Sequence, residues 1–292
     1  MTQKTHAVAL PIAALLVAMV CFQLGAAMAK SLFLVAGAAG TTALRMALAA
    51  LMLLAVWRPW RLRLNWSEIR VIVLYGLVLG WMNLFFYLSL RSIPLGIAVA
   101  LEFTGPLALA MATSRRAVDF IWIFMAVAGL VALLPIGFGA KPLDSAGVIY
   151  GLAAGLCWAM YILFGRKAGE AAHGGQITAL GMLIGAIVIV PIGIAESGTR
   201  LLAPAILPAA FVIALLSSAL PYSLEMFALP RLPTRTVGVL MSLDPAMGAL
   251  SGLCFLGERL GWVQWAAIAG IMAASAGSAA TSRATVPQLL PD

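Results

Sequence analysis

Glu102 stands in the middle of Ile93 to Leu107, IPLGIAVALEFTGPL, a run otherwise apolar enough to lie inside a bilayer. A carboxylate at the centre of a span costs at least about 2.5 to 3.5 kcal/mol on insertion scales, so it is expected to face a partner or a wet cavity. There it can exchange a proton or hold a cation. Pro106 follows four residues later and supplies no N–H for the Glu102 carbonyl, so a charge and a bare carbonyl share one turn. The pattern recurs at Leu232 to Ala246, LPTRTVGVLMSLDPA, where a constant offset of 139 residues places Pro233 on Pro94 and Pro245 on Pro106. Asp244 then falls three residues from the position equivalent to Glu102, on the same helix face. Pro106 and Pro245 are the expected helix breaks.

Seven further residues complete the candidate pathway. Glu225 is the third acid inside an apolar run, although Arg231 six residues on also fits a place for it at the membrane face. The other acids, Glu68, Asp119, Asp144, Glu170, Glu196, Glu258 and Asp292, fall in loops or at span ends. Arg45 lies about 7.5 Å inside its helix and either pairs with an intramembrane acid or snorkels outward. Asn83, Tyr87, Trp158, Tyr161 and Tyr222 are polar or amphipathic residues within apolar runs; they line a cavity in one reading and pack or anchor helices in the other.

Enzymatic signatures are absent. His6 and His173 are far apart in terminal and loop sequence, which leaves no His-based metal site or triad, and there is neither a Walker loop nor a GxSxG elbow. Cys21, Cys157 and Cys254 each sit in an apolar run without a spaced partner, so they read as packing residues rather than a disulfide frame or thiolate site. No metal and no cofactor is implied. The net charge of +8 is spread singly or in pairs at segment ends, which argues against a nucleic-acid surface and for membrane orientation.

The elements that must position these residues follow from composition. With 63% hydrophobic and 10% charged residues in 292, the chain is a polytopic membrane protein with no room for a soluble domain. Apolar runs bounded by charge, Pro or Gly give ten spans: 9–28, 40–57, 69–90, 94–113, 119–137, 146–165, 176–195, 206–228, 234–254 and 262–281. The first run ends in Ala27-Met28-Ala29, which mimics a cleavable signal, but a similar run recurs downstream as a helix with nothing to cleave it. Twelve of the eighteen Lys and Arg lie on the side of the N-terminus and five on the other, which places both termini in the cytoplasm.

Two halves emerge. Besides the 139 offset, Cys21-Phe22 matches Cys157-Trp158 and Lys30 matches Arg166 at an offset of 136, so residues 1–142 and 143–292 read as a duplicated five-helix unit. Five is odd, so the second copy is inverted. Inverted repeats with proline-marked helices at corresponding positions point to a secondary transporter with its site near the midplane. Gly76 and Gly80, Gly151 and Gly155, Gly181 and Gly185, and Gly248 and Gly252 offer faces for close helix packing.

The runs IPLGIAVALEFTGPLA, SRRAVDFIWI from Ser114, ALPYSLEMFALPRLPTRTVGVLMSLDPA from Ala219, PWRLR at Pro59 and FLGERL at Phe255 resemble the bacterial threonine and homoserine exporters, EamA-type members of the drug/metabolite transporter superfamily. The likeness extends from about Leu10 to Ser278; it departs at Asp244, where the exporter pattern carries Glu, and in the tail after Arg283, which lacks a basic cluster. The resemblance implies an all-α, ten-helix inner-membrane protein that exports small hydrophilic amino acids against protons. A broader metabolite or drug exporter of the same superfamily shares every residue-level feature; a membrane enzyme or a scaffold fits them less well. For a zwitterionic substrate, Glu102 or Asp244 would take the ammonium, and backbone donors or a side chain from the facing repeat the carboxylate.

Overall fold

A helix of 49 residues is about 74 Å long at 1.5 Å per residue, more than twice the hydrocarbon thickness of a bilayer. That is the length of Ala9–Trp57, within α1 (Thr2–Trp57), and it bends at Gly37, whose φ of 62° and ψ of 176° suit glycine alone. The bend is held from a distance. Ala39 N and Gly40 N, donors at the restarted helix, reach Glu196 Oε2 at 2.7 and 3.0 Å, and Ser197 Oγ donates to Ala36 O at 2.5 Å. The loop expected between spans 9–28 and 40–57 is therefore helix up to the bend.

The computed structural model describes residues 2–112, 119–133, 143–170 and 174–281, and among these the regular elements are all helical. After α1 come α2 (Trp66–Leu90), α3 (Leu95–Ala112), α4 (Asp119–Leu133), α5 (Ser145–Ala168) and α6 (Gly174–Ser197). Then follow α7 (Leu207–Ala214), a π-helical turn (Leu215–Ala219), α8 (Leu220–Ala228), α9 (Thr234–Met241), α10 (Asp244–Leu256) and α11 (Trp262–Thr281). Asn65 starts α2 with a capping box: its side chain accepts from Glu68 N while Glu68 reaches back to Asn65 N. Pro94 marks the restart between α2 and α3, as expected. Six segments among the described residues are long and apolar enough to cross a membrane. The loops bearing Arg115, Arg116, Lys141, His173 and Arg283 lie outside the described residues.

Five of the packed helix contacts run antiparallel. The later half of α1 runs antiparallel along α6, with Trp57 at Gly175, Met46 at Gly185 and Ala43 at Gly193. Antiparallel too are α3 with α10, through Gly96 at Ala249 and Leu95 at Gly252, and α4 with α11, through Gly129 at Ile271 and Trp122 at Gly277. The first half of α1 packs antiparallel on the α7–α8 segment, with Gly25 at Ser217 and Phe22 edge-on to Tyr222 at 5.2 Å. Between α2 and α5 the same sense holds, from Tyr75 at Tyr161 to Ser89 at Gly147. The four glycine pairs lie at helix contacts, three of them where the helices run parallel, α2 with α6 and α5 with α3. Gly76 and Gly80 meet Gly181 and Gly185, Gly151 and Gly155 meet α3, and Gly248 and Gly252 also meet α3.

One expected break is absent. The chain leaves α-helical geometry at Ser242–Leu243, just ahead of Pro245, but α3 runs through Pro106 without interruption. Pro106 removes one bond of the ladder, at the Glu102 carbonyl, and the bonds on either side carry the helix through; the freed carbonyl lies against the bare backbone of Gly155. Outside, large apolar side chains such as Leu34, Phe124 and Trp262 are exposed, as a lipid-facing surface requires.

Candidate functional site: a charged cluster inside the bundle

The helices converge on a set of polar side chains. The first half of α1 brings Gln23 and its second half Arg45; α2 brings Tyr75, Asn83 and Tyr87; α3 brings Glu102. From α5 come Trp158 and Tyr161, from the π turn Ser217 and Ser218, from α8 Tyr222 and Glu225, and from α10 Asp244. All nine pathway residues expected from the sequence are thus within this interior group or packed on it.

Arg45 does not snorkel. It is 2% exposed, and Nη1 donates to Ser217 O at 3.3 Å and to Ser218 Oγ at 2.5 Å, while Nη2 donates to Asn83 Oδ1. Its Cζ lies 4.7 Å from the centre of the Tyr87 ring. The π-helical turn matters here because widening the hydrogen-bond ladder presents the Ser217 carbonyl sideways, while Ser217 Oγ bonds back to Ile213 O at 2.6 Å. Asn83 is fixed in turn, its Nδ2 donating to Leu79 O at 2.8 Å. Among the described residues no carboxylate is bonded to Arg45; the ion pair present is Lys30 with Glu258, 2.6 Å apart at the rim.

Three acids lie in the same interior, none of them paired with this cation. Glu102 is half-buried on α3 and feels the charges of both Asp244 and Arg45. Asp244 is buried in the first turn of α10, where the helix dipole favours an anion, and accepts from Gln23 Nε2 at 3.4 Å. Glu225 is buried between helices and interacts electrostatically with Asp244 and with Tyr75, Tyr161 and Tyr222. Tyr75 Oη donates to Tyr161 Oη at 3.1 Å with the rings stacked 4.8 Å apart, and Trp158 packs edge-on to Phe103 at 5.7 Å.

Buried polar atoms are normally satisfied. Here Gln23 Oε1, Arg45 Nε and Tyr87 Oη are buried with no partner among the described residues. Those three orphans sit in the same cluster as the three acids. Among the described residues no group of three or more His, Cys, Asp or Glu is placed to hold a metal ion. The groove on the outer face between α4 and α11, lined by Phe124, Met125, Ala132 and Trp262, is apolar and apart from this chemistry.

Sequence reasoning missed Gln23, Tyr75, Ser217 and Ser218. Gln23 carried a usable signal, being an amide in the middle of an apolar run; the serines did not, since small hydroxyl residues in such runs more often close a bond within their own helix.

An apolar exterior around unpaired interior charges is the build of a multi-pass membrane protein that handles polar solutes rather than one that only scaffolds. The chain belongs to the EamA-like transporter family. That family's model matches residues 145–279, and relatives cover nearly the full length. The chain is 55% identical to the threonine/homoserine exporter RhtA of Salmonella typhimurium over 274 residues, which is 94% of this chain and 92% of the relative. It is 53% identical to the threonine/homoserine exporter RhtA of Escherichia coli K12 over the same shares. A crystal structure of another protein, 20% identical, superposes with a TM-score of 0.59 over 91% of this chain and 96% of that one, a likeness that shows the fold alone. The protein is a transporter and not an enzyme.

Proposed function

We propose that the protein exports threonine, homoserine and similar small hydrophilic amino acids across the bacterial inner membrane, in exchange for protons. The observation that carries this is the interior charge set: one guanidinium and three carboxylates, none bonded to another, in a chain more than half identical to two threonine/homoserine exporters. A zwitterion supplies one charge of each sign to such a set. Asp244 lies in electrostatic reach of both Glu102 and Glu225, and acids that share a site in this way suit a proton-for-substrate exchange. Glu102 and Asp244 are the candidates for the ammonium and the proton.

The architecture we assign is ten membrane segments in two inverted five-helix repeats, residues 1–142 and 143–292. Several features support it. The bend at Gly37 divides α1 into two lengths that each suit a bilayer, and α3 and α4 add two shorter apolar helices. A two-fold axis in the membrane plane requires equivalent segments to meet antiparallel, which is the sense of α1 with α6, α3 with α10 and α4 with α11. It also requires the α2–α5 contact to have a twin, and the first half of α1 on α8 is that twin. Both termini then lie in the cytoplasm, and reporter fusions after Arg63 and Lys167 should read cytoplasm, with those near Ser197 outside.

The test of function is counterflow of labelled threonine in liposomes containing only this protein. Saturable exchange of threonine and homoserine, accelerated when the gradient of pH is inward, is expected. Exchange of neither would defeat the assignment.

A further inference from the structure

We infer that Arg45 is the receptor for the carboxylate of the transported amino acid, the Nε edge of its guanidinium taking the two oxygens. The inference rests on the amino-acid exporter reading above. Among the described residues Arg45 is one of the most enclosed side chains and the only charged one of the largest fully buried ones. A guanidinium has five N–H donors in a rigid fork and no protonation state other than the charged one at working pH. Its bonded partners here are all neutral: the Ser217 carbonyl, the Ser218 hydroxyl and the Asn83 amide oxygen, with the Tyr87 ring stacked on its face.

These partners engage Nη1 and one side of Nη2 and leave Nε–H with none. A permanent cation buried among neutral groups is costly unless an anion joins it for part of the working cycle. The protein's own acids do not serve, since Glu102 is near enough to feel the charge and yet forms no ion pair with it. The bidentate fit of a guanidinium edge to a carboxylate is the geometry that remains unused. A substrate held there would extend its ammonium toward Glu102 and Asp244. Gln23 Oε1 and Tyr87 Oη, likewise without partners, are left for its hydroxyl. Nε has no accessible surface in this conformation, so loading takes place in a state in which the surrounding helices have parted, as alternating access requires.

The experiment compares threonine with threoninol, in which the carboxyl is reduced to an alcohol. Affinities for both are read from ligand-induced thermal stabilisation of the purified wild type, Arg45→Gln and Arg45→Lys, alongside counterflow of threonine by the wild type. The wild type should bind threonine at least tenfold more tightly than threoninol. In a folded Arg45→Gln protein threonine affinity should fall at least tenfold, to that of threoninol, with Arg45→Lys between the two. A merely structural arginine would alter the melting temperature but not this ratio. A folded Arg45→Gln variant that keeps the wild-type preference overturns the inference, as does a wild type that binds both solutes equally. Should Arg45→Gln fail to fold, Arg45→Lys decides, and an unchanged preference there overturns it. If the wild type neither binds nor exchanges threonine or homoserine, the exporter reading fails and takes this inference with it; exchange with a preference indifferent to residue 45 defeats Arg45 alone.

Discussion

Replacing Glu102 by Gln keeps volume and hydrogen-bonding capacity and removes the titrating group. The structure sets the size of the stability change. Removing one partner of a buried ion pair costs about 3 to 5 kcal/mol, because the other charge is left uncompensated. Glu102 has no ion-pair or hydrogen-bond partner among the described residues, and Arg45 is held by Asn83, Ser217 and Ser218. The change should therefore stay within about 1 kcal/mol, and an amide in place of a carboxylate inside a span lowers the insertion cost as well. Thermal unfolding and transport are measured on one purified preparation. The variant should fold and exchange threonine at equal pH, yet lose export driven by a pH gradient. A destabilisation of about 3 kcal/mol or more would refute the claim that Glu102 is unpartnered. A well-folded variant with undiminished pH-driven export would remove it from proton coupling and transfer that role to Asp244.

Other perturbations probe the scaffold. Glu196→Ala removes both acceptor contacts at the restart of the helix after Gly37 and should cost about 1 to 2 kcal/mol in thermal unfolding, with Glu196→Gln recovering most of it. At Gly155 a Cβ would stand 2.7 Å from the Glu102 carbonyl, so Gly155→Val should destabilise by about 1 to 3 kcal/mol and slow threonine exchange, whereas Gly261→Ala, whose Cβ would meet only Gln264 Oε1 at 3.9 Å, should change neither. Asp144, just outside the span at the start of α5, is held below the usual carboxylate range by the Ser92 hydroxyl and then the Gly147 amide. A lowered pKa means its stabilising cap is complete above the ordinary carboxylate range and lost as pH falls through the lowered value, so acid melting curves of Asp144→Ala and wild type should converge.

Most of the site was legible in the sequence because the cost of a charge in hydrocarbon is a local property. Glu102, Glu225, Asp244 and Arg45 stand out wherever an apolar run is interrupted, and no knowledge of the neighbours is needed to see that each demands an explanation. The same holds for Pro94, which restarts α3 because the missing N–H and fixed φ act within one turn. Apolar length and the bias of basic residues are likewise sums over nearby positions.

What lay beyond the sequence was decided by contacts between segments far apart in the chain. The sequence offers Arg45 two fates, pairing with an acid or snorkelling; the third, a bed of neutral acceptors, depends on Ser217 and Ser218, 172 and 173 residues away, and on a π turn that aims them. The joining of two spans through Gly37 depends on Glu196, 157 residues from Ala39, satisfying donors that would otherwise favour a loop. Pro106 reads as a break from its own chemistry, yet the helix continues, with the freed carbonyl packed against the bare backbone of Gly155 on α5. Composition and periodicity set which segments enter the membrane and which residues are anomalous there. Which faces meet, and so which anomalies are paired, capped or left open for a substrate, is set by the close packing of helices, and that is a property of the assembled bundle.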